Sequence, residues 1–150
     1  MIWLLRHAEA AEGSPDERRP LTTRGAAQAR AAGMALKRLG VAPDACLSSP
    51  KLRALQTARL ACEALGVQVQ VEHALAGGPF DARALAAGLR EVLLVGHDPS
   101  FSTALRELTG ARARLRKGGL AGVDDDELVV LMRPRELKAI AAASQREAER

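Results

Sequence analysis

The sequence predicts an α/β fold, a three-layer α/β/α sandwich whose central sheet is mixed and mostly parallel. Short apolar runs alternate with longer stretches of helical period along most of the 150 residues. The runs Ile2-Trp3-Leu4-Leu5 and Val92-Leu93-Leu94-Val95 are continuously apolar, as strands buried on both sheet faces require. The helical stretches stop at Gly40, Gly66 and Gly110, where C-terminal caps belong. This length suits one domain, residues 1–150, with a single sizeable core.

Each element has its own justification. After the first strand comes a polar loop through Gly13-Ser14-Pro15-Asp16 and Arg18-Arg19-Pro20. Thr22 or Thr23 can cap the first helix, whose face carries Ala29, Ala32, Leu36 and Leu39. Asp44 to Leu47 reads as the second strand and ends at Ser48-Ser49-Pro50, with Pro50 suited to a helix start. The second helix points Leu52, Leu55, Ala58, Cys62 and Leu65 inward, and Gln68 to Val71 alternates as a third strand. Asp81 can cap a short helix reaching Leu85. Glu91 to Val95 forms the strongest strand, and a helix through Leu105 and Leu108 follows it. Leu120–Val123 and Leu128–Met132 are separated by a short Asp-rich turn and predict an antiparallel pair, before a final helix from Pro134.

Composition narrows the function. The formal charge is +4 and the pI about 9.7, which favours anionic partners. Aromatic residues are only 2% of the chain, so the stacking platform of single-strand nucleic-acid binders is missing. No zinc-finger or RNA-recognition pattern appears, and neither nucleic acid nor membrane is an expected partner. Cys46 and Cys62 sit in apolar-patterned segments and suit two buried free thiols in a reducing compartment. The apolar start, broken by Arg6 and His7, is too short for a signal peptide or a membrane span. A cytoplasmic monomer is the expectation.

In a sheet of this kind, ligands bind beyond the carboxyl ends of the strands. Arg6-His7, Ser48-Ser49-Pro50 and Gly96-His97 all occupy that position. Arg53 falls in the first turn of the second helix, an unfavourable end for a cation unless an anion lies beside it. Two strand-end histidines and two arginines make a pocket able to hold phosphoryl oxygens and supply a nitrogen nucleophile. Taken singly, each has a plainer reading as a capping histidine or a solvated arginine.

The ordered set resembles the histidine phosphatase superfamily. Arg6-His7-Ala8-Glu9-Ala10 is similar to its signature, and Arg19-Pro20-Leu21-Thr22 with Gly25 to the segment that follows. Ser49-Pro50 with Arg53, Ala54, Gln56, Thr57 and Ala58 is similar to the second motif, and Gly96-His97 with Pro99 to the third. The matches span residues 6–99, roughly two-thirds of the chain. Within the superfamily the sequence most resembles the small branch typified by the phosphohistidine phosphatase SixA.

The resemblance implies a phosphoglycerate mutase-like fold and a phosphatase that needs no cofactor. It implies that His7 attacks phosphorus and becomes phosphorylated, while Arg6, Arg53 and His97 hold the non-bridging oxygens. Arg19 and Ser49 are candidate substrate contacts. Many members carry an acidic proton donor after the third strand, but Glu72-His73-Ala74-Leu75-Ala76-Gly77-Gly78 has no matching motif. Glu72, His73 and Asp81 are substitutes, with Glu9 a distant fourth. A missing donor favours a phosphoramidate over an alkyl ester, and the absence of a long insertion suits phosphate displayed on another protein. The basic run Arg112, Arg114, Arg116 and Lys117 either receives an acidic partner or is a solvated face. Glu9 and Asp98 flank histidines, yet the arginines oppose a metal there. Rival readings are a housekeeping phosphatase of small metabolites or nucleotides, a phosphate-binding module without catalysis, and, on charge alone, a nucleic-acid binder.

Overall fold

A six-stranded sheet in the order β3-β2-β4-β1-β5-β6 organises the computed structural model. The structure describes the backbone of residues 1–150 and every side chain except those of residues 144, 145, 147 and 148. The strands are β1 (Ile2–Arg6), β2 (Ala45–Ser48), β3 (Val69–Val71), β4 (Val92–Gly96), β5 (Leu120–Asp124) and β6 (Glu127–Met132). The helices are α1 (Thr23–Arg38), α2 (Leu52–Leu65), α3 (Ala82–Ala86), α4 (Ser100–Thr109) and α5 (Pro134–Ala148). Single 3₁₀ turns lie at Asp16–Arg18 and His73–Leu75. Strands β3, β2, β4 and β1 pair in parallel with one another, while β5 runs antiparallel to β1 and β6 antiparallel to β5.

The central strands are buried on both faces, so alternate residues feed two cores. Trp3, Leu5, Cys46, Leu93, Val95 and Leu120 join Ala32, Leu36, Ala58, Cys62 and Leu137 beneath α1, α2 and α5. Ile2, Leu4, Ala45, Val92, Leu94 and Ala121 join Ala82, Phe101, Leu105 and Leu108 beneath α3 and α4. Both layers of helices therefore exist, as the alternation predicts. Cys46 and Cys62 are free and buried together in the first core.

Packing corrects the helix faces in detail. Leu39 is 47% exposed at the C-terminal cap of α1, outside the buried stripe. On α2 the fully buried apolar positions are Ala54, Ala58 and Ala61, while Leu52, Leu55 and Leu65 are half-buried. The two helices approach closely at Gly33, where a Cβ would lie 2.1 Å from the Ala61 carbonyl oxygen. Alanine faces allow that approach; a leucine seam would separate the helices.

The sheet also sets the level of the strand tips. Arg6 is in register with Gly96, and Ser48 with Val95. Beyond these pairs His7 N–H donates to the Gly96 carbonyl at 2.9 Å, and Ser49 N–H to the Val95 carbonyl at 3.0 Å. The three predicted strand ends are thus joined through their main chains into one platform.

Candidate active site

Main-chain bonds place His7, and a hydrogen bond selects its tautomer. Its Nδ1 stands 2.8 Å from the Ala8 carbonyl oxygen, which can only accept. The proton therefore sits on Nδ1, and the Nε2 lone pair is free. Burial pulls the imidazole down to about 4, with the Arg53, Arg6 and Lys117 charges adding to the effect against the Ala8 bond. At neutral pH the ring is an uncharged nitrogen base facing cations.

Residues of the second motif hold the first in place. Ala8 N–H donates to Thr57 Oγ1 at 3.1 Å, and that hydroxyl donates to the Arg53 carbonyl at 2.7 Å. Leu21 N–H donates to Gln56 Oε1 at 2.8 Å. Thr22 caps α1 by accepting from Gly25 N–H at 3.0 Å, and its own N–H donates to the Glu9 carbonyl. A Cβ on Gly25 would stand 2.0 Å from that same Glu9 carbonyl oxygen, so only glycine lets α1 press against the loop.

His97 faces His7, with ring centroids 5.3 Å apart. Its Nε2 lies 2.7 Å from Ser49 Oγ, which also accepts from Lys51 N–H at 3.2 Å. That hydroxyl can donate its proton to Nε2, leaving Nδ1 as the protonated nitrogen of His97. Nδ1 is buried and has no hydrogen-bond partner among the described residues. Burial pulls this imidazole down to about 3, and the charges of His7, Arg53 and Lys51 act the same way.

The two arginines are fixed by different means. Arg6 Nη1 donates to the Leu115 carbonyl at 2.9 Å, and burial lowers its pKa. Arg53 is buried and meets Asp16 twice: Nη1 donates to the main-chain oxygen at 2.9 Å and Nη2 to Oδ2 at 3.2 Å. Asp16 also takes Arg19 Nη1 at 3.1 Å and Lys51 Nζ at 3.6 Å. Hydrogen bonds from Arg19, then Arg53, hold its carboxyl below the usual range. The anion expected beside the first turn of α2 is thus, in part, the chain's own carboxylate. The ε nitrogens of both arginines remain buried without a partner among the described residues.

These groups wall a cavity of about 290 Å³ lined by Arg6, His7, Arg19, Lys51, Arg53 and His97. Gly77, Gly78, Asp98, Pro99, Ser100 and Lys117 complete its wall. An open lone pair beneath several fixed cations is an arrangement that can attack phosphorus and hold its oxygens. A larger groove between α1 and α5, about 580 Å³, has no histidine, cysteine or carboxylate on its wall among the described residues.

The sequence model of the histidine phosphatase superfamily, branch 1, matches residues 2–81. The chain belongs to this superfamily. A Picosynechococcus protein of uncharacterised function is 34% identical, over 89% of this chain and 96% of its own. A crystal structure from Agrobacterium tumefaciens, assigned as a phosphohistidine phosphatase SixA, superposes with a TM-score of 0.79. It is 25% identical and covers 89% of this chain and 97% of that one. A protein histidine phosphatase SixA complexed with tungstate gives 0.79 at 26% identity, covering 91% of this chain and 99% of that one. The phosphoglycerate mutase-like α/β fold expected from the motifs is therefore the fold of this superfamily member.

The remaining predicted site residues divide. Arg19 reaches the pocket wall, although its Nε donates to the Ala11 carbonyl at 2.8 Å. Ser49 does not line the pocket: it is fully buried and spends its hydroxyl on His97. Glu72, His73 and Asp81 are also absent from the wall. Glu72 caps the 73–75 turn at Ala74 N–H, His73 is exposed in that turn, and Asp81 caps α3 at Ala84 N–H. The segment after β3 instead presents Gly77 and Gly78, which have no acid to offer. Lys51, Asp98 and Lys117 line the pocket without having been predicted as its members, and Asp16 joins it through Arg53, Arg19 and Lys51. The spacing of Asp16 three residues before Arg19 was the one signal for that last residue.

Proposed function

We propose that this chain is a metal-independent phosphatase that works through a phosphorylated His7, and that its substrate is phosphohistidine on another protein. Nε2 of His7 attacks phosphorus in line, the bond from phosphorus to the substrate nitrogen breaks, and a phospho-His7 intermediate forms. Water then attacks the same phosphorus, the bond to Nε2 breaks, and inorganic phosphate leaves with His7 regenerated. Arg6 and Arg53 neutralise the non-bridging oxygens, and His97 donates to one of them through Nδ1. Such preorganised donors typically contribute ~100-fold or more each. A reducing cytoplasm suits the two buried thiols.

The observation that carries the substrate class is the state of the acids on and beside the pocket wall. Asp16 is held anionic by Arg19 and Arg53, and both oxygens of Asp98 accept from the Ser102 hydroxyl, at 2.7 and 2.8 Å. Among the described residues, no carboxyl on the pocket wall is free to protonate a departing alkoxide. A phosphorylated imidazole has no such need, because protonation of its other nitrogen by solvent lets it leave as a neutral molecule. The likeness to SixA structures, one of them holding the oxyanion tungstate, supports the same reading.

The test compares wild type with His7→Ala on a histidine-phosphorylated protein and on p-nitrophenyl phosphate, both in EDTA. Expected is preferential turnover of the phosphoprotein, lost in the variant, with acid-labile phosphate trapped on His7 of the wild type. Preference for small esters would replace the substrate class with a metabolite phosphatase. Full activity in His7→Ala would remove the mechanism.

A further inference from the structure

Between α4 and β5 the chain runs without regular secondary structure and exposes Arg112, Arg114, Arg116 and Lys117. A strip of this composition is usually a mobile, solvated face. Here it is pinned to the site. Leu115, in its middle, is fully buried, and its carbonyl accepts from Arg6 Nη1. Gly118 N–H donates to the His7 carbonyl at 2.9 Å, and Gly119 N–H to the Arg116 carbonyl at 2.7 Å. The main chain that carries these cations therefore keeps a set position relative to the pocket.

Arg112 and Arg114 join Arg106, Ser102 and Thr103 of α4 around a second open cavity of about 380 Å³. The two cavities share a partition, because Ser102 Oγ donates to Asp98, which lines the first. Lys117 stands on the catalytic wall itself. Elsewhere Arg24, Arg30, Arg83 and Arg133 each meet a carboxylate. Among the described residues no carboxylate pairs with Arg106, Arg112, Arg114, Arg116 or Lys117. The nearby acids are Asp98, occupied by Ser102, and Glu107, exposed on α4.

We infer that the strip from Arg106 through Arg112 and Arg114 to Lys117 docks an acidic segment flanking the phosphorylated histidine of a protein substrate. The inference rests on the phosphohistidine reading above and extends it to what surrounds the phosphate. Unpaired cations on a main chain anchored beside the pocket raise the local concentration of an acidic chain and orient its phosphate inward. No aromatic residue lines the second cavity, so it lacks the stacking surface a single-stranded nucleic acid would use.

Two synthetic peptides test it, each phosphorylated on one histidine, one flanked by Asp and Glu and the other by Asn and Gln. Both are assayed with wild type and the triple variant Arg106→Ala, Arg112→Ala, Arg114→Ala, with p-nitrophenyl phosphate as control. Wild type should favour the acidic peptide in kcat/KM by ~10-fold at low salt, a margin that shrinks as salt rises. The triple variant should bring the ratio close to one while hydrolysing p-nitrophenyl phosphate within about two-fold of wild type, the change expected of exposed substitutions outside the pocket. Equal use of the peptides by wild type, or a preference surviving in the variant, would overturn the inference. Retention of a DNA duplex by wild type but not the variant, with no peptide preference, would overturn it in favour of nucleic acid. Hydrolysis of p-nitrophenyl phosphate with neither peptide consumed would sink the phosphohistidine reading and this inference together.

Discussion

Mild acid should destabilise this protein through its two active-site histidines, and the size of the effect follows from their burial. His7 and His97 are each 6% exposed, and their imidazoles are pulled down to about 4 and about 3 from 6.5. The sign is fixed by proton counting. Between pH 6.5 and about 4 the unfolded chain binds protons that the folded chain refuses, so stability falls as pH falls through that window. Each histidine costs about 1.4 kcal/mol per pH unit, so roughly 1.5 units of descent to pH 5 cost about 2 kcal/mol apiece. Together they remove about 4 kcal/mol, a large fraction of an ordinary domain's stability. Both folded values lie below pH 5, so the unfolded reference sets the figure. The measurement is the free energy of urea unfolding at pH 7 and pH 5, for wild type and for His7→Asn with His97→Asn. The double variant should lose about 4 kcal/mol less than wild type over that interval. If both proteins decline in parallel, burial does not hold the histidines neutral, and His7 is not a ready neutral nucleophile.

Three further outcomes follow from particular contacts. Asp16→Asn removes a carboxylate that shares Arg53, Arg19 and Lys51 with the incoming phosphate, so inhibition by inorganic phosphate should tighten by roughly 3–10-fold in a competition assay; unchanged or weaker inhibition would make Asp16 a positioning group instead. Ser49→Ala frees His97 Nε2 and should lower kcat by about 10-fold with little change in KM, as expected for a partner acting through His97 on the transition state. In the ¹⁵N spectrum the same variant should shift the His97 tautomer away from protonated Nδ1, a change that mere loosening of the fold would not produce. Gly33→Ala brings a methyl group to 2.1 Å from the Ala61 carbonyl and should cost about 1–3 kcal/mol in urea unfolding, with p-nitrophenyl phosphate turnover near wild type in the folded fraction.

The sheet, both helical layers and the position of the site were legible in the order of residues, for a physical reason. Buried strands must be apolar throughout, helices must repeat every three to four residues, and glycine marks where they stop. Placing ionisable residues at the ends of such strands therefore puts Arg6-His7 and Gly96-His97 at one sheet edge from the sequence alone. The family likewise followed from short motifs in sequence order, and the match over residues 2–81 agrees with them.

Tertiary structure alone decided what those residues touch. Its i,i+3 spacing to Arg19 is all that sets Asp16 apart locally from Glu12 or Glu17, and only the fold sets it against Arg53, 37 residues away. Ser49 reads as a ligand contact by position, but its rotation toward His97 buries it. Glu72 and Asp81 are plausible acids in a string of letters, and become caps because nearby unpaired N–H groups claim their oxygens first. Periodicity records which face of an element avoids water, and so it placed the scaffold. Side-chain partners, charge neighbours and the neutrality of His7 depend on distances between segments remote in sequence, and only the packed chain sets those.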